Sequence, residues 1–301
     1  MKSKPVIILM AAFGLGLLFF TVLYLATALS GGGRSAARIA PLPGSDRVAL
    51  VKIEGLLLTA DMIVQEINDH AEDSSIKAII VRIDSPGGGV VPSQEIYNAV
   101  QNARKAGKKV VISLGSVAAS GGYYIAAAGD RIVANPGTLT GSIGVKMEFA
   151  NLEKLFEKIG IKGMVVKAGE YKDIGSPYRE MTDYEKRLLQ WVIDDVHSQF
   201  IEAVARGRNL PEAEVRNIAD GRVFTGRQAL QLKLVDQLGD LEDSIEAAAQ
   251  LAGMKGKPKV VRREKKLQFL DYFKEETASW ISEAVAKSLG RNLMRLEYLA
   301  P

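Results

Sequence analysis

The sequence predicts an α/β protein whose core is a largely parallel sheet built from βαβ units. Short apolar runs typical of buried strands alternate along the chain with patterns of helical period. Parallel neighbours need a long crossover, usually a helix, so this alternation favours parallel pairing. Hydrophobic residues make up 47% and charged residues 25% of the 301 residues, the balance of a globular protein with an ample core.

The predicted elements follow one another from residue 48 onward. Strands are expected at Val48–Ile53, Lys77–Asp84, Lys109–Ser113 and Arg131–Ala134. Helices are expected at Asp61–Glu72, Pro92–Lys105, Asn151–Ile159, Asp183–Arg206 and Asp240–Leu251. In the second of these helices proline occupies a permitted first-turn position, and Gly107 follows its end.

An apolar segment without charged residues, Pro5–Leu29, precedes these elements. A helix of that length reaches ~37 Å, enough to cross a bilayer core of about 30 Å. Lys2 and Lys4 lie before it, and the slight positive bias predicts a cytoplasmic N-terminus with the bulk of the chain outside. A cleaved signal peptide is the alternative, because Ala26-Thr27-Ala28 resembles a cleavage site. The long apolar run favours an uncleaved anchor.

The chain therefore divides into four predicted parts. Residues 1–29 form the cytoplasmic N-terminus and anchor, and 30–45, rich in Gly, Ser, Ala and Pro, form a flexible linker. Residues 46–254 form the main domain, and 255–301 form a basic linker and an amphipathic C-terminal helix. This helix packs on its own domain or contacts a neighbouring copy or the membrane. Because the positive and negative charges of this helix nearly balance, contact with a neighbouring copy of the chain is favoured over contact with the membrane surface.

Composition excludes several classes of site. The chain has no cysteine, which removes disulfides, cysteine zinc sites and a cysteine nucleophile. Its two histidines, His70 and His197, are not at metal-ligand spacing, so we expect no metal site built from histidines. The Gly87–Gly89 turn has the spacing of neither a P-loop nor a dinucleotide fingerprint, which argues against a nucleotide site there. A net charge of +4 is too weak to indicate nucleic-acid binding.

Two glycine-rich turns follow predicted strands, where open α/β folds place their sites. Gly87–Gly89 follows the second strand, and by itself a plain tight turn is favoured there over one that presents N–H groups to an oxyanion. Ser120 precedes Gly121 and Gly122 at a predicted helix start. It is either a nucleophile whose neighbour Gly121 donates an N–H to the reacting oxygen, or simply a helix N-cap.

A serine nucleophile needs a base. His70 and His197 both lie in helical patterns and are expected to be surface or packing residues. A lysine is the alternative base. Lys172 lies in a glycine-containing loop, 168–177, but its sequence context alone does not single it out from other lysines.

Five sequence motifs, which follow one another in order along the chain, resemble those of a known family. They are DSPGGG at 84–89, SVAASGGYYIA at 116–126, TLTGSIGV at 138–145, GEYKDIGSPYREMT at 169–182 and DGRVFTGRQALQLKLVDQLG at 220–239. Together they resemble the signal peptide peptidase A family in its short, single-repeat bacterial type. The resemblance covers about residues 48–251 and implies a ClpP/crotonase-type fold.

The resemblance also implies roles for individual residues. Ser120 corresponds to the nucleophile, Lys172 to the general base and Ser142 to the serine that orients the lysine. The backbone N–H groups of Gly88 and Gly121 correspond to the oxyanion hole. As a base Lys172 must be neutral. Lowering its pKa from ~10.4 to about 7–8 needs about 4 kcal/mol, so we expect the neighbouring Glu170 and Asp173 to point away from it.

The implied function is a single-pass, membrane-anchored serine endopeptidase of the bacterial cytoplasmic membrane, with its catalytic domain outside. The resemblance implies that remnant signal peptides are hydrolysed through an acyl-enzyme. It also implies that the protein forms a ring-like homo-oligomer. It calls for no cofactor, metal or nucleic acid. An acyl-CoA enzyme of the crotonase class and a non-catalytic scaffold of the same fold are the alternatives.

Overall fold

The structure is a computed structural model that describes residues 46–263 and, as backbone, the strand Glu297–Leu299. The predicted anchor and linker, and most of the predicted C-terminal helix, lie outside the described residues. Among the helices of the described part, none is long and apolar enough to cross a membrane.

The described part alternates strands and helices, as expected. The strands are β1 (Arg47–Glu54), β2 (Ile76–Ser85), β3 (Gly87–Gly89), β4 (Lys109–Ala119), β5 (Arg131–Ala134), β6 (Leu139–Gly141), β7 (Val223–Thr225), β8 (Gln237–Leu238), β9 (Lys259–Arg262) and β10 (Glu297–Leu299). The helices are α1 (Asp61–Glu72), α2 (Val90–Lys105), α3 (Gly121–Ala126), α4 (Glu153–Lys158), α5 (Asp183–Arg208), α6 (Glu212–Arg216), α7 (Gly226–Gln231) and α8 (Leu241–Leu251).

The main sheet has the strand order β7-β6-β4-β2-β1-β9. Its pairs are parallel except β6 with β7, so the predicted parallel sheet is confirmed. Strand β4 is the branch point: its middle pairs with β5, which continues to β8, and its end pairs with β6. A separate antiparallel pair joins β3 to β10.

Helices cover both faces of this sheet, which explains why its central strands are almost continuously apolar. Val51 and Val81 face a core shared with α1, α2, α3 and α5, whereas Leu50 and Ile80 pack against α8. Successive residues of a strand point to opposite faces, so both sides of β1 and β2 are buried. The carboxyl ends of β2, β4 and β6 are thereby fixed side by side.

Two elements differ from the prediction. The strand expected to end at Ser113 continues to Ala119, because its weakly β-forming end pairs with both β2 and β6. In the basic run predicted as a linker, β9 adds an edge strand to β1. Basic residues on an edge strand discourage pairing with other chains.

Candidate active site

Ser120 lies at the junction where β4 ends and α3 begins. Its backbone has φ 52° and ψ −116°, an arrangement that costs a non-glycine residue about 1–3 kcal/mol. The residue is fully buried, and its Oγ has no hydrogen-bond partner in the described structure. Although Ser120 stands at the N-cap position, its side chain makes no capping bond, so the simple N-cap interpretation is wrong. Strain and an unpaired buried hydroxyl together indicate a functional residue.

Backbone bonds fix this serine from both sides. Its N–H donates to the Gly141 carbonyl at 2.8 Å, and its own carbonyl accepts from the Tyr124 N–H at 2.8 Å. Helix α3 is anchored by the fully buried Tyr123, whose hydroxyl donates to the Leu234 carbonyl at 2.7 Å. Burial raises the pKa of this hydroxyl, so it stays neutral and keeps its proton for that bond. The strained turn is therefore held by its surroundings.

The two predicted oxyanion donors lie close together. A side chain at Gly121 would place its Cβ 3.3 Å from the Gly88 nitrogen and 2.4 Å from the Ser93 Oγ. A side chain at Gly88 would place its Cβ 2.4 Å from the Leu57 carbonyl oxygen. Glycine is needed at both positions because neighbouring groups already fill the space.

Two buried serines that the sequence did not single out support this turn. The Ser85 Oγ donates to the Gly55 carbonyl at 2.6 Å and accepts from the Gly87 N–H at 3.1 Å. The Ser93 Oγ donates to the Gly89 carbonyl at 2.8 Å. Ser85 lies inside the DSPGGG motif, and this position was the only feature of the sequence that could have indicated its role. The part played by Ser93 depends on contacts that only the folded chain provides.

Strand β3 offers one edge to an extended peptide. Leu57 bonds to both residues that flank Gly88, at 2.9 and 2.8 Å, which occupies one edge of the strand. The N–H and C=O of Gly88 face the opposite edge. There β10 pairs antiparallel, with Tyr298 opposite Gly88, and β10 also lies beside α3. An extended segment on this edge thus runs past the turn that carries Ser120.

The structure places Ser142 beside Ser120. The register pairs Ala119 with Gly141, so both serines immediately follow paired residues of parallel strands. Ser142 is 3% exposed and has φ 50°, and its N–H donates to the Arg222 carbonyl at 2.9 Å. A second strained serine therefore adjoins the candidate nucleophile.

Within the described residues of the single chain, the Lys172 side chain makes no hydrogen bond to Ser120 or Ser142. Lys172 lies in a turn, where its backbone N–H donates to the Gly169 carbonyl at 3.3 Å, and its side chain is exposed. Within residues 46–263, its amine takes part in no hydrogen bond or ion pair. The Asp173 carboxylate points to Lys167 and Arg179, as expected for an acid kept away from the base.

The other candidate groups fall elsewhere. His70 lies on α1 and His197 on α5, so both lie in helices as predicted. Within the described residues no cluster of His, Asp and Glu could hold a metal ion.

Comparison with known proteins identifies the family of the chain. A model described as peptidase family S49 matches residues 102–255, and one described as Clp protease matches 57–138. The Synechocystis protein slr0021 is 52% identical over 61% of this chain and 66% of its own length. Protease 4 of Salmonella typhi is 38% identical over 65% of this chain and 31% of its own. The Arabidopsis thaliana serine protease SPPA, chloroplastic, is 35% identical over 70% of this chain and 33% of its own length.

The match thus covers less than two thirds of each of these relatives. Within this chain, however, the family model covers just over half of the residues, including β5 to β8 and the turn that bears Ser120. The resemblance to signal peptide peptidase A is confirmed, and the chain belongs to peptidase family S49.

Proposed function

We propose that this protein is a membrane-anchored serine endopeptidase that works through an acyl-enzyme. Ser120 is the nucleophile, Lys172 the general base and Ser142 the residue that orients the lysine, while the N–H groups of Gly88 and Gly121 stabilise the oxyanion. The observation that carries the proposal is the Ser120 hydroxyl, which is buried, unpaired and set on a strained turn. Such a group is retained where chemistry requires it.

The edge of β3 that pairs with β10 favours a peptide substrate over an acyl-CoA. An extended peptide that adds to a strand edge gains backbone hydrogen bonds whatever its sequence. The pairing of β10 with β3 provides an example of such binding beside α3. A substrate bound in this way passes Gly88, whose N–H is one proposed oxyanion donor. An acyl-CoA has no extended peptide backbone with which to make this pairing.

Lys172 must be shielded from water before it can act as a base. A base active near neutral pH must be neutral, and lowering the reference lysine pKa of ~10.4 to that range requires the cation to be destabilised by about 4 kcal/mol relative to the neutral amine. The surrounding segment exposes large apolar side chains, including Met164 at 88% and Val166 at 94%. A neighbouring copy in a ring-like homo-oligomer covers this segment and brings the base into a dry site.

The substrates follow from the family and from the predicted anchor. Remnant signal peptides are apolar segments left in the membrane after secretion. A catalytic domain tethered outside the cytoplasmic membrane of a bacterium is placed to meet them. Relatives named as proteases support the reaction class, whereas the substrate is our proposal.

Peptide hydrolysis by single variants tests the assignment. Ser120→Ala and Lys172→Ala should each reduce turnover of a fluorogenic peptide by at least about 10³-fold. Lys186→Ala, which removes an exposed lysine on α5, is the matched control and should stay near wild-type activity. Unchanged circular dichroism and unfolding midpoints would show that the variants are folded. Near-normal turnover by Lys172→Ala at pH 8 would require a different base.

A further inference from the structure

Four charged side chains bind one another beside Lys172. Arg179 donates from Nε and Nη2 to the two Asp173 carboxylate oxygens at 3.0 and 2.9 Å. It also donates from Nη1 and Nη2 to the Glu185 carboxylate oxygens at 2.9 and 2.5 Å. Lys167 Nζ adds a bond to Asp173 Oδ1 at 2.5 Å. Two cations and two anions thus form a neutral cluster in which Arg179 is the central member.

This cluster ties the Lys172 loop to a fixed element. Glu185 is 4% exposed and closes a capping box with Thr182 at the start of α5. Farther along the same helix, Phe200 and Val204 are fully buried in the core. Since planar guanidinium–carboxylate pairs are geometrically specific, Arg179 forms a stiff link from that core to the residue next to Lys172.

The bonds from Arg179 and Lys167 to Asp173 also determine whether the Asp173 carboxylate is available to pair with the Lys172 amine. Asp173 is the immediate chain neighbour of Lys172, so it accompanies the amine wherever the loop docks. Arg179 and then Lys167 hold the pKa of the Asp173 carboxyl well below its usual range, so it is ionised. Both its oxygens are engaged by these two cations. A carboxylate released from them would pair with the Lys172 ammonium and disfavour its neutral form.

We propose that Arg179 is a positioning residue for the base: it holds the Lys172 loop on α5 and withholds the Asp173 carboxylate from the Lys172 amine. The inference rests on the proposed function, because it concerns the protonation of the proposed base. Other ionisable groups near the loop are Glu170, Tyr171, Tyr184 and Arg187, which lies over the Tyr184 ring at 5.6 Å. The substitutions below leave these four unchanged, apart from the control.

The pH dependence of kcat/KM in the full-length protein in detergent tests this role. In Arg179→Gln the Asp173 carboxylate keeps its bond to Lys167 but loses both bonds from Arg179. Its freed oxygen stabilises the Lys172 cation, so the rising limb of the pH profile should move about one unit to higher pH. The value at pH 7 then falls about tenfold and recovers at alkaline pH. Adding Asp173→Asn in the double variant should return the limb to its original position. Arg187→Gln removes a nearby positive charge from α5 and should leave the rising limb unmoved.

The outcomes separate this inference from the proposed function. An equal loss at every pH, not relieved by Asp173→Asn, would mean that Arg179 only supports the fold, and the inference would be overturned. Unfolding midpoints of the variants identify any loss caused by misfolding. Full activity of Lys172→Ala would instead remove the proposed base, and with it the proposed mechanism, whatever Arg179→Gln does.

Discussion

Replacing Gly121 by alanine tests the packing around Gly88 and Gly121, the two proposed oxyanion donors. The new Cβ would lie 2.4 Å from the Ser93 Oγ and 3.3 Å from the Gly88 nitrogen. Gly121 is in helical backbone, where alanine by itself favours folding by roughly 0.5–1 kcal/mol. Any destabilisation must therefore come from the contact. Because Ser93 is fully buried and bonds to the Gly89 carbonyl, the hydroxyl cannot turn away without losing that bond.

The magnitude follows from these contacts. Breaking the buried Ser93 bond costs about 1–3 kcal/mol of the free energy of unfolding. Displacing one oxyanion donor lowers kcat by about 10²–10³-fold. We therefore expect Gly121→Ala to fold with reduced stability and to hydrolyse peptides at least about 100-fold more slowly. Stability is measured by urea unfolding and kcat with a fluorogenic peptide.

A second substitution isolates the cause. Ser93→Ala removes the atom nearest to the new methyl group, so the Gly121→Ala/Ser93→Ala double variant should recover about tenfold in kcat relative to Gly121→Ala. Gly137→Ala is the matched control, because its Cβ would meet no atom within 4 Å. Wild-type kcat in Gly121→Ala, or a defect that Ser93→Ala leaves unchanged, would refute the reasoning.

Three further predictions concern acid stability, the C-terminal segment and topology. Hydrogen bonds from Arg179, and then from Thr182, lower the pKa of Glu185 to about 2, against about 4.3 in an unfolded chain. This stabilisation is complete above the unfolded value and is lost as pH falls from about 5 to 2, so the thermal midpoint should fall more steeply there in wild type than in Glu185→Gln. Truncation after Lys266 removes β10 and leaves that edge of β3 free, so we expect a lower KM for peptides. If the predicted C-terminal helix joins copies of the chain, the truncated protein should also have a lower oligomeric mass by light scattering. A reporter fused after Pro301 should be active outside the cytoplasm, and activity confined to the cytoplasm would overturn the predicted orientation.

The sequence predicted the longer elements well because their patterns are local, whereas the short strands β6, β7 and β8 and the short helices α6 and α7 were not predicted. Helix α1 begins and ends as expected, since Asp61–Glu72 combines an acidic first turn with a regular apolar face. The end of β4 was missed because Gly115, Ser116 and Ala118 have little strand preference. Pairing with β2 and β6 overrides that weak preference.

The site was predictable only where it lies in continuous motifs. Ser120, Gly121 and Ser142 stand in such motifs, and the fold brings them to neighbouring strand ends. The Arg179 cluster spans 167 to 185, and its geometry depends on how the loop meets α5. The Thr182–Glu185 capping box is a recognisable local pattern, but nothing in it indicates that Glu185 also binds Arg179.

The central claim is that Ser120 is an activated nucleophile, and its covalent modification tests this most directly. A fluorophosphonate probe reacts with an activated serine and not with an ordinary buried one. We predict one adduct per chain, located by mass spectrometry on the peptide that contains Ser120. It should be absent from Ser120→Ala and strongly slowed in Lys172→Ala. A folded wild-type protein that hydrolyses peptides but carries no adduct on Ser120, or labels equally well after Ser120→Ala, would contradict the account.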